Sequence, residues 1–108
     1  MEIKETLSAI NKKAGTLDKI KGELGREELL AQFAEECAEL GKAALKLRRG
    51  LDGRNVTPVS VLDAELDLQE EMADVFLLMV LCDMEDGEVA ETIYKKVPRW
   101  AGRLGLEE

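Results

Sequence analysis

The chain has 108 residues, 35% of them charged and 45% hydrophobic, and a formal net charge of −8. That is one domain at most, with apolar residues for a modest core, and the balance excludes a disordered chain. It also excludes the basic footprint of a nucleic-acid or anionic-membrane binder, so an anionic ligand such as a nucleotide needs a bound cation or a local basic cluster to reverse the field.

In chain order, Glu2 to Lys13 can form a short helix with Ile3, Leu7 and Ile10 on one stripe, ended by a break at Ala14-Gly15-Thr16. Residues 17 to 25 carry Gly22 and Gly25 and read as a loop or a short extra turn. A long helical pattern follows from Arg26 to Arg49. Its apolar positions Leu29, Leu30, Phe33, Cys37, Leu40, Ala44 and Leu47 recur at three- and four-residue steps, as one buried stripe requires.

Gly50 to Asn55 is loop chemistry, and Thr57-Pro58 reads as an N-cap with proline at the first helical position. The next helix starts there, with a bend or pause near Ser60 to Ala64, and is strongly patterned from Leu66 to Met84. Between Val75 and Leu81 it is apolar on every side, which predicts a central, fully packed helix. After Asp86-Gly87, a last helix runs from Glu88 to Gly102, where Pro98 removes one backbone bond and should kink or interrupt it. No strand-like alternation or internal repeat is visible, so the predicted fold is all-α: a four-helix-bundle-like domain with residues 1–25 as an N-terminal helix and loop and 26–104 as the core. A chain this small gains burial by association, and an oligomer, most simply a dimer, is expected.

Cys37 and Cys82 sit in apolar helical patterns rather than a spaced framework, and no secretory leader stands at the start of the sequence. Both thiols are expected to be buried small hydrophobes in a reduced, cytoplasmic protein. The longest apolar run, Val75 to Cys82, is far below the roughly 20 residues a bilayer span needs.

The chemistry-bearing residues are carboxylates. Glu36 and Glu39, three apart on a helix, share a flank bordering the buried stripe, whereas Glu35 lies about 100° round and faces solvent. Glu71 and Asp74 repeat the spacing on the other long helix, with Asp67 one turn earlier as a reserve ligand and Glu70 solvated. A carboxylate leading into an apolar helix carries a heavy desolvation cost unless it is paired, protonated or bound to metal. The helix of Glu71 has no basic residue of its own. Two acidic pairs on facing helices would form an all-oxygen cluster suited to a hard divalent cation, Mg²⁺ or Mn²⁺. The chain has no histidine, which removes the Glu-x-x-His pairs of ferritin-like di-iron bundles.

Glu35-Glu36-Cys37-Ala38-Glu39 followed by Glu71-Met72-Ala73-Asp74 resembles the EExxE and ExxD signature of the all-α nucleotide pyrophosphohydrolases, the superfamily that includes MazG and the dimeric dUTPases. The run "ADVFLLMVL" resembles that family's hydrophobic third helix, and the resemblance covers residues 29 to about 104. It implies a MazG-type fold in which Glu36, Glu39, Glu71 and Asp74 hold Mg²⁺. The segment "YKKVPRWAGRL" resembles the family's basic stretch, which implies phosphate contacts from Lys96 and Arg99, with Lys95 and Arg103 as helpers; Trp100 is expected to pack rather than stack on a base.

The implied reaction cleaves a nucleoside triphosphate between its α and β phosphates, giving a monophosphate and pyrophosphate, with Glu36 or Glu39 as proton acceptor. This would be a nucleotide-pool cleaning activity of a homodimer or dimer of dimers. Two alternatives stand beside it: an enzyme of similar build such as a phosphoribosyl-ATP pyrophosphohydrolase, and a non-catalytic helical adaptor whose acidic face is only solvated.

Overall fold

The computed structural model describes residues 1–53 and 59–106 and contains five helices, with no strand among those residues. They are α1 (Lys4–Lys12), α2 (Ala14–Leu24), α3 (Arg26–Asp52), α4 (Val61–Leu81) and α5 (Asp86–Arg103). None of them is long and apolar enough to cross a membrane.

The expected break at Ala14-Gly15-Thr16 and the loop after it are corrected by α2. The helix is interrupted only at Lys13, and Gly15 and Gly22 are both helical. Glycine in a helix interior costs up to about 1 kcal/mol against alanine, and here tertiary packing overrides that propensity. Leu17 of α2 is buried in a cluster with Leu29, Leu78, Leu81 and Cys82, onto which Ile10 and Phe33 pack. Gly25, at φ 77°, makes the real turn, letting α3 begin at the next residue.

α3 runs three residues past its expected end, so Gly50, Leu51 and Asp52 are helical rather than loop, and Gly53 closes the helix in the left-handed conformation at φ 68°. Arg54 and Asn55, and the Thr57-Pro58 cap, lie outside the described residues. α4 opens instead at Val61, where the Asp63 backbone N–H donates to Ser60 Oγ at 3.3 Å and the Asp63 carboxylate adds charge of the favourable sign to the first turn. It ends at Leu81, short of the predicted Met84. Asp83 follows at φ 60°, in the left-handed region, with its carboxylate paired to Lys21 of α2 at 2.9 Å. That pair holds the Asp83 carboxyl below its ordinary range, through the Lys21 hydrogen bond first and its charge second.

α3 and α4 form the central seam and run antiparallel. Arg26, at the start of α3, donates from Nη2 to Met84 Sδ at 3.7 Å, whereas Lys46, near the other end, meets Asp67 early in α4 at 2.9 Å. Leu29 is 1% exposed, and Cys82 and Ala64 are fully buried. The remaining packing is thinner than the sequence led us to expect. Cys37 is exposed, which corrects its assignment as a buried thiol. α4 is not covered all round, since Met79 and Val80 are both 45% exposed.

α5 is continuous across Pro98 and has no buried residue. Its apolar positions Val89, Ile93, Val97 and Trp100, continued by Leu104 just past its end, recur at steps of three and four and form a stripe that is more than two-fifths exposed throughout. Trp100, expected to pack, is 60% exposed within the single chain. The dimensions agree. The radius of gyration is 16.9 Å, against about 13 Å for a compact domain of this length. The accessible surface of 8721 Å² exceeds the roughly 6,000 Å² of a monomer of this mass.

Candidate metal centre

Spacing on α4 and the antiparallel seam together build the site. Glu71 and Asp74, three residues apart, leave α4 on one face, and α3 brings Glu36 against them. One carboxylate oxygen from each of the three lies within 4.8 Å of the others, and all three residues are partly buried. The exposed Glu35 and Glu70 take no part.

Glu71 is the residue under electrostatic load. Its Oε2 is fully buried and has no hydrogen-bond partner. Burial pushes the Glu71 carboxyl up from its usual range, the charges of Glu36 and Asp74 push in the same direction, and the charge of Glu39 adds a last contribution. Three converging carboxylate oxygens at mutual distances a single ion can bridge, from a set in which Glu71 also has a buried, unpartnered oxygen, fit a hard divalent cation by donor type and geometry.

Of the other expected ligands, Glu39 is near enough to act on Glu71 electrostatically but stands outside the three-carboxylate group. It is exposed, and its Oε1 accepts from Lys42 Nζ at 3.3 Å. Asp67, the reserve ligand, is held by Lys46 at 2.9 Å. The basic residues of α5 do not reach the carboxylates. Lys95, Lys96, Arg99 and Arg103 are all exposed, and Arg99 Nε donates to the Lys95 carbonyl of its own helix at 3.4 Å.

Cations come instead from a place the sequence reading passed over. A cavity of about 420 Å³ adjoins the cluster, lined by Glu39 and Glu71 and by Lys42, Lys46 and Arg49 of α3. The signal was available: 39, 42, 46 and 49 recur at three- and four-residue steps on one flank, so the carboxylate of Glu39 and the three cations share a face. On the α4 side, Asp67 and Glu70 complete the lining.

Comparison with protein-family models, with curated proteins and with solved structures gives no match for this chain.

Proposed function

We propose that the protein is a divalent-metal-dependent nucleoside triphosphate pyrophosphohydrolase, working as a homo-oligomer on the cell's nucleotide pool. Two observations carry this reading: Glu71 has a buried, unpartnered Oε2, and its carboxylate is grouped with those of Glu36 and Asp74. A carboxylate so placed needs a proton or a cation. The resemblance of the two acidic motifs to those of nucleotide pyrophosphohydrolases supplies the reaction class.

Glu36, Glu71 and Asp74 would hold Mg²⁺ or Mn²⁺, with Glu39 joining them when Lys42 lets go. When bound, the ion would neutralise phosphate charge and lower the pKa of a water, so that losing a proton turns it into the nucleophile for phosphorus. The chain's own part is positional. The two-helix seam fixes three oxygens, and Glu39, exposed at the rim, would accept the proton only while it is not itself a ligand of the ion. The homo-oligomer is supported by the uncovered stripe of α5 and by accessible surface about 2,700 Å² above that of a compact monomer, more than the roughly 1,000–2,500 Å² an obligate interface removes from each protomer.

The test is pyrophosphate release from a panel of canonical and modified nucleoside triphosphates with Mg²⁺, with Mn²⁺ and with EDTA. Metal-dependent release of pyrophosphate, rather than phosphate, is the expected result; no release from any substrate by a folded, metal-bound protein would refute it. The α5 stripe favours one second reading, a non-catalytic helical adaptor. That reading predicts no divalent-cation binding at Glu71 and leaves its buried oxygen without a role.

A further inference from the structure

We infer that the cavity beside the carboxylate cluster is a polyphosphate subsite built from α3, with Lys46 and Arg49 as its anion-binding side chains and Lys42 as a cation released into it. The inference rests on the proposed metal site and names where the charged tail of its substrate lies. It moves that role from the α5 cations to a set of residues no motif had marked.

Position comes first. Lys42, Lys46 and Arg49 line one concave surface with Glu39 and Glu71, so an anion in the cavity touches the edge of the metal cluster. From Lys42 to Arg49 the flank covers about 10 Å of helix, along which successive phosphate groups can meet successive cations. None of the α5 cations lines this cavity.

Charge balance then makes the subsite conditional. The three cations face four carboxylates, Glu39, Asp67, Glu70 and Glu71, so the wall is net acidic and repels an anion. A divalent cation at the cluster offsets its carboxylates, which lowers that repulsion and gives an anion a direct cationic contact. Two of the three cations are also engaged, Lys42 with Glu39 and Lys46 with Asp67. Recruiting Glu39 to the metal frees the Lys42 ammonium, while the Lys46 pair keeps a cation poised at the cavity wall. Both pairs are solvent-exposed and therefore weak, so a multiply charged anion can displace them.

Inorganic tripolyphosphate is the probe, because it carries the charge of the tail and no base. It is titrated calorimetrically at low ionic strength into the full chain, with and without saturating Mn²⁺, and Mn²⁺ affinity is measured separately by electron paramagnetic resonance. The wild type should bind tripolyphosphate only with Mn²⁺ present. Lys46→Gln with Arg49→Gln should lower that affinity about tenfold or more and leave Mn²⁺ affinity and helicity unchanged. Lys46→Arg should retain most of it. Asp67→Asn, which frees Lys46, should tighten binding more than Glu70→Gln, which makes the same charge change without touching the pair. That comparison also decides the matter should the double variant fail to fold.

Wild-type tripolyphosphate affinity in the double variant, or loss only in Lys96→Gln with Arg99→Gln, would overturn the subsite and leave the metal site standing. Absence of Mn²⁺ binding in the wild type would overturn both.

Discussion

Glu36 of α3 and Glu71 of α4 present carboxylate oxygens within 4.8 Å of each other across the central seam, and no basic side chain of α4 stands between them. Burial first and the Glu36 charge second push the Glu71 carboxyl up, and a divalent cation would relieve that load.

Glu71→Gln should remove metal-dependent turnover by about a hundredfold or more, since it deletes the one ligand whose oxygen is buried. The metal-free variant should melt at or above the wild-type temperature, because an uncharged amide replaces a carboxylate held under repulsion. Pyrophosphate release and thermal melts in EDTA measure the two halves. A variant with wild-type turnover would remove Glu71 from the site.

The same residue sets a pH dependence. A carboxyl whose pKa is raised on folding binds its proton more tightly in the folded state. Metal-free protein therefore loses stability as pH rises from about 4.5 through the folded value, and beyond it the loss is complete and constant. Saturating Mg²⁺ or Mn²⁺ should stabilise most on the alkaline side of that window, where Glu71 has lost its proton. Melts across pH, with metal and with EDTA, should diverge as pH rises; parallel curves would mean that the cluster takes no ion.

The α5 stripe makes a prediction about assembly. Ile93→Asp with Val97→Asp places charge at the middle of the uncovered face, where both residues are more than two-fifths exposed within the chain. Sedimentation equilibrium should find the wild type oligomeric and the double variant shifted to monomer, with the α3–α4 pair still helical. A wild type that sediments as a monomer at every concentration would refute the homo-oligomer.

Leu29 tests the core. At 1% exposure, in contact with the cluster that joins α2 to α4, it should cost about 3 kcal/mol when truncated to alanine, within the range for buried leucines that leave a cavity. Urea unfolding at a fixed protein concentration measures it. Leu62→Ala on the same scale should cost far less, since Leu62 is 65% exposed.

How much of this was legible in the sequence depends on which force sets each feature. The long helices α3 and α4 were visible because periodicity records their shared seam. The convergence of Glu36, Glu71 and Asp74 followed from spacing plus the antiparallel pairing. α2 was hidden because Gly15 and Gly22 argue against a helix locally, and only the burial of Leu17 against α3 and α4 outweighs them. Cys37 misled because an apolar pattern on one helix does not say whether its own chain covers that face. Asp67 misled for the opposite reason: its partner Lys46 is 21 residues away, a distance no helical spacing rule spans. The basic flank at 42, 46 and 49 was written in the spacing but lacked meaning until the cavity showed what it faces.

The exposed stripe of α5 bears on the order of the folding reaction. An 18-residue helix with no buried side chain of its own has little beyond local hydrogen bonding to hold it in water, where isolated helices of that length are marginal. The seam of α3 and α4 can close within one chain, in a step whose rate ignores concentration. In the proposed oligomer, α5 gains its cover only from another chain, so its ordering becomes bimolecular. Refolding should then separate into a fast phase independent of protein concentration and a slower one that accelerates with it. Dilution should melt the last helix before the first seam opens, coupling the abundance of the protein to the completeness of its fold.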